Sequence, residues 1–255
     1  MLLDIIESAS PTILLMVVLS LTVAGLMKGI IGVGMPTVAI PLLSIFIDLK
    51  ASVMLLSVPL VLSNIPQAME GGETFKCFVR LVPVLLGMVP GIFLGVTALL
   101  TISPLAAKLF VGLVVMIAAA LPLLAPQLRL KECLQTPVGV AAGFMGGALG
   151  GIAAMSGPMV FCFLLAKGLR GRDFTKEASL YLVLSAALLA VTLSSSSQYS
   201  GFDLAISTLA LAPVAVGMLF GQRFRDRIPP EAFKATVLVI VLASGAGLMI
   251  KSLFS

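Results

Sequence analysis

The sequence predicts an all-α polytopic membrane protein built from two inverted repeats, and three observations carry that prediction. Apolar stretches of roughly 20 residues, the length that crosses a bilayer core, recur along the chain. The charged residues, 11% of the total, gather mainly in the short gaps between those stretches. A Gly-rich motif ending in proline occurs twice. With 60% hydrophobic residues among 255 and a mean hydropathy of +1.19, no soluble domain could hide its apolar surface. The stretches are continuously apolar, without the period-2 alternation of a membrane β-barrel.

The first run, 11–31, passes into GLMKGIIGVGMP at 25–36. Glycine weakens a helix, proline ends one, and a charge in lipid is costly. A plain anchor would contain none of the three. An apolar run of only 11 residues, 37–47, follows and is too short to span as a straight helix. Runs at 51–69, 78–101 and 104–125 complete the first half. The second half repeats the order, with a run at 135–153, a short one at 158–168, and runs at 177–197, 203–222 and 234–251.

Each short run follows a Gly-rich break and opens at a proline, Pro36 or Pro158. GLMKGIIG at 25–32 aligns with GFMGGALG at 143–150, a shift of 118 residues, and MPTV at 35–38 with GPMV at 157–160. The expectation is an internal duplication with halves 1–128 and 129–255 in one membrane domain, each half supplying about five segments, with half-length helices at the repeat interface.

Basic clusters orient the halves. Lys167, Arg170, Arg172 and Lys176 form one, and Arg223, Arg225, Arg227 and Lys234 another, whereas the tail 1–10 and the loop 198–203 have no basic residue. Placing the basic loops in the cytoplasm makes 11–47 and 135–169 begin and end on one side, from opposite starts. The repeats are then inverted, in the cell inner membrane, with both termini outside. The segment MLLDIIESAS lacks the positive start of a cleaved signal peptide.

Paired Gly/Pro interruptions in inverted halves point to a transporter's central site. A helix that begins mid-membrane offers free N–H groups and partial positive charge, and glycine lets an anion approach them. Gly32, Gly34, Pro36 and Thr37 in the first half, with Gly150, Gly151, Ser156, Gly157 and Pro158 in the second, are the candidate substrate-binding residues on that argument. For any single glycine, including the pair Gly25 and Gly29, close helix packing is the competing reading.

Lys28 stands within the first run, and the 11 acidic residues fall in loops or at run edges, so no carboxylate is offered as its partner. Such a lysine either snorkels to a surface or meets an anion. Asn64 and Gln67, three apart on one helix face, and Ser185, with Ser179 and Tyr181 on the corresponding helix, are further polar candidates. The Ser-rich run at 193–200 reads as an interfacial cap.

Composition also excludes. There is no histidine, hence no imidazole metal site, base or proton relay. Cys77, Cys133 and Cys162 are scattered and form no CxxC pair. The net charge of +5 lies in topology-setting loops, so nucleic acid is not expected as a partner; no cofactor is expected either. An intramembrane enzyme would need a nucleophile with a base, a metal cluster or paired acids, and none is visible. The expected partners are a small anion and the lipid bilayer; self-association into a homo-oligomer is left open.

On GLMKGIIGVGMPTVAIPLL in the first half and GFMGGALGGIAAMSGPMVFCFLL in the second, the chain resembles the TauE/SafE sulfite exporter family over essentially its full length. The resemblance implies a multi-pass transporter of two related halves that exports sulfite, a sulfonate or another small sulfur-containing anion. Uptake of the same substrates, transport of a carboxylate, and a non-transporting assembly subunit are the alternatives.

Overall fold

A computed structural model describes residues 9–32, 34–70, 72–103, 129–169, 171–195 and 199–224, together with Leu2, Leu105, Ala106 and Leu109. The runs expected at 104–125 and 234–251 lie outside these residues, apart from Leu105, Ala106 and Leu109.

The described chain is helical. Helix α1 spans Pro11–Ile31; Pro11 opens it where an N–H would be orphaned anyway, and Ser10 Oγ accepts from the Ile13 N–H. It is followed by α2 (Met35–Leu43), α3 (Leu49–Met69) and α4 (Thr74–Thr101). The second half gives α5 (Glu132–Ala153), α6 (Gly157–Ala166), α7 (Gly171–Ser194), α8 (Gly201–Leu209) and α9 (Leu211–Phe224). At 9 and 10 residues, α2 and α6 are about 15 Å or less in length, half a bilayer core, as the two short runs require.

Helices α8 and α9 form one span with a joint at Ala210. Pro213 supplies the reason, because it cannot donate to the Leu209 carbonyl and its ring crowds that turn. Ser200 and Asp203 close the other end of α8 in a reciprocal capping box. Six helical stretches among the described residues are long and apolar enough to cross a membrane. Leu86, Leu94, Val191 and Leu219 stand largely exposed along them, an apolar surface suited to lipid.

The first helix of each half packs against the last described span of the other: α1 against α9, and α5 against α4. Both seams are built on glycine. A Cβ on Gly91 would sit 2.3 Å from the Phe144 carbonyl oxygen, and one on Gly147 would sit 2.4 Å from that of Met88. On the other seam, a Cβ on Gly25 would sit 2.2 Å from the Val214 carbonyl oxygen, and one on Gly217 would sit 2.0 Å from that of Thr22. Between lipid-compatible helices there is no hydrophobic drive, so backbone approach supplies the contact.

Helices α3 and α7 pack together, and α8 crosses α3. Pro59 cannot donate to the Leu55 carbonyl one turn earlier; Ser207 Oγ donates to it instead, at 2.9 Å, and accepts from the Val58 N–H at 3.1 Å. Ser57 Oγ lies within hydrogen-bond distance of both Ser207 Oγ and Tyr199 Oη, which ties the Ser-rich segment to α3.

Candidate functional site

The two breaks use different backbone solutions. Gly32 ends α1 with φ +89°, donating its N–H to the Lys28 carbonyl at 2.7 Å, and Gly34, also at φ +89°, precedes α2. Left-handed backbone of this kind favours glycine. In the second half the matching turn falls on Ala154, at φ +55°, and Ser156 starts α6. Gly150 and Gly151 stay inside α5. A Cβ on Gly150 would lie 2.4 Å from Ser156 Oγ, so this glycine makes room for a hydroxyl that hydrogen-bonds to Ser185 Oγ. Gly151 instead faces α4, where a Cβ would meet the Ile92 carbonyl oxygen at 2.6 Å.

The breaks converge. Gly34, Pro36 and Thr37 from one side, and Gly157 and Pro158 from the other, line a shared void that Met155, Phe161 and Leu182 close. Its volume is about 10 Å³, room for about one water. The N-terminal turns of α2 and α6, 122 residues apart in sequence, thus open onto the same space.

Lys28 does not reach a surface. Its side chain is 1% exposed, and Nζ donates to Asn64 Oδ1 on α3. Asn64 is oriented for this by its own Nδ2, which donates to the Leu60 carbonyl at 2.7 Å. An ammonium has three N–H donors, and Asn64 Oδ1 is the acceptor it meets among the described residues. Gln67, one turn on, accepts from Ser179 Oγ at 3.3 Å, with its Nε2 3.7 Å from where a Cβ of Gly32 would be.

Two carboxylates at run edges are buried. Asp203 belongs to the α8 cap and also accepts the Leu2 N–H at 2.7 Å. Glu177, 1% exposed on α7, pairs with Arg80 Nε at 2.9 Å, an ion-pair contact whose geometry makes no hydrogen bond. Outside the spans, the Lys76 ammonium beside Glu73 holds that carboxyl below its ordinary range. Tyr181, which sequence reasoning named without placing it in the site, is fully buried with no hydrogen-bond partner for its hydroxyl among the described residues.

The family model for the sulfite exporter TauE/SafE matches residues 17–248, which takes in both breaks and every candidate site residue. No curated protein and no solved structure matches.

Proposed function

Because this chain belongs to the sulfite exporter TauE/SafE family, we propose that it exports a small sulfur-containing anion, sulfite or an organosulfonate, through the space where its two breaks meet. The observation that carries this reading is Lys28, a buried ammonium held by a neutral amide, with no second acceptor for its N–H donors among the described residues. A burial of that kind is costly without a counter-charge, and a transported anion supplies one transiently. The N-terminal turns of α2 and α6 add the partial positive charge of their helix starts at the void between the breaks.

The halves 1–128 and 129–255 are inverted repeats on this reading, and the crossed pairing of α1 with α9 and α5 with α4 supports it. Both termini then lie outside the inner membrane. With the inside negative, each exported negative charge gains about 2.3 kcal/mol per 100 mV, so the membrane potential alone can drive efflux. A carboxylate proton relay is not needed.

Flux in proteoliposomes tests the proposal. Radiolabelled sulfite and sulfoacetate should cross and be accelerated by a potential of the right sign, with acetate slower. Movement of acetate in preference to both sulfur anions would replace the substrate class, and no flux of any would overturn the transport reading.

A further inference from the structure

We infer that Tyr181 is the second-half donor to the anion, the counterpart of Lys28, and that it selects anions with three oxygens over carboxylates. The inference rests on the reading of the breaks as the anion site.

Tyr181 lies on α7 with no exposed surface, and its hydroxyl has no hydrogen-bond partner among the described residues. A buried hydroxyl left unpaired is disfavoured, and where it persists it marks strain or a ligand position. Its direction is fixed by Gly146. A Cβ built there would lie 2.7 Å from Tyr181 Oη and 2.8 Å from the carbonyl oxygen of Ser156, the residue that starts α6. The tyrosine hydroxyl therefore lies by the Ser156 backbone, at the beginning of the ten-residue α6.

The 118-residue shift between the duplicated motifs sets Gly146 opposite Lys28. In the first half that position projects a cation. In the second it carries no side chain, and the facing helix fills the room with a phenol. A neutral donor on one side and a charged one on the other suit a single monoanion, whose one charge the Lys28 ammonium alone balances.

Geometry then bears on selectivity. A sulfonate or sulfite presents three oxygens pointing different ways, so it can accept from Lys28, from Tyr181 and from a helix N-terminus together. A carboxylate has acceptor sites enough for three donors, but they all lie in one plane, so donors converging from different directions meet it with poorer hydrogen-bond geometry.

The test uses the full chain in detergent, with methanesulfonate and acetate as probes and thermal unfolding of the ligand-free protein as a control. Tyr181→Phe should weaken methanesulfonate binding about tenfold or more while changing acetate binding little, the loss expected for one hydrogen bond to a charged acceptor. Its ligand-free unfolding midpoint should equal or exceed that of the parent, because an unpaired hydroxyl has been removed. Gly146→Ala, which displaces the hydroxyl while keeping it, should also weaken methanesulfonate. Binding within twofold of the parent in Tyr181→Phe overturns the inference and leaves the transport reading standing. A lowered midpoint in Tyr181→Phe also overturns it, since the hydroxyl would then support the fold. If the parent binds neither sulfite nor methanesulfonate, the anion-site reading and this inference fall together.

Discussion

Lys28 Nζ donates to the side-chain oxygen of Asn64, 36 residues further along the chain, and so fixes α1 to α3 beside the first break. An amide orients the ammonium without cancelling its charge. Asn64→Asp would cancel it, putting a carboxylate where the anion's compensation is needed. That variant should accumulate normally and lose transport. Lys28→Met should weaken substrate affinity by roughly 1–3 kcal/mol, the scale of a charge-assisted hydrogen bond. Concentration-dependent flux with matched protein amounts decides it. An unchanged half-saturation constant and maximal rate in both variants would retire Lys28 from the site.

Glycines that look alike in sequence should respond differently. Gly34→Ala meets nothing within 4 Å but must hold φ +89°, a strain of about 1–2 kcal/mol that leaves the protein folded. Gly91→Ala puts a methyl carbon 2.3 Å from the Phe144 carbonyl oxygen, so α4 and α5 must separate, at about 1–3 kcal/mol or more. Thermal unfolding should rank Gly91→Ala as the more damaging. The reverse order would mean the seam yields more easily than the break.

That contrast also marks how far the sequence could be read. Spans and breaks depend on local composition, which is why α1, α2, α5 and α6 stand where the apolar runs and prolines put them. Which glycines pack and which turn the chain depends on what arrives opposite. Gly151 meets Ile92 of another helix, and nothing near it in sequence announces that. The left-handed residue of the second break is an alanine, so its conformation follows from packing around it. Glu177 looked like a loop-edge charge because its partner, Arg80, is 97 residues away. A separation of 36 residues likewise hid the Lys28–Asn64 bond, although both residues were legible as candidates.

Ser207 should matter for stability and not for selectivity. Ser207→Ala removes the donor to the Leu55 carbonyl that Pro59 cannot serve, together with the acceptor for the Val58 N–H. The expected loss is about 1–3 kcal/mol of stability for buried groups left unpaired. Thermal unfolding of purified protein should show it, while the half-saturation constant for sulfite stays unchanged. A shifted constant at unaltered stability would move Ser207 into the transport path.

Topology is open to direct measurement. A reporter fused after Ser255 should act outside the inner membrane, and one inserted between α6 and α7 should act in the cytoplasm. Both on the same side would remove the inverted relation of the halves.

The α1–α9 seam bears on how the protein is made. Gly25 and Gly29 are translated early, and the backbone they pack against, around Val214 and Met218, emerges about 190 residues later, roughly 10–40 s at ordinary elongation rates. During that interval α1 sits in the bilayer with its notched face covered only by lipid or by an insertion chaperone. The α4–α5 seam, by contrast, joins residues such as Gly91 and Phe144, 53 positions apart, and can close far sooner. Ribosome stalling or truncation late in the chain should therefore strand the first helix, and quality-control proteases would meet an otherwise assembled protein whose opening segment is still unclaimed.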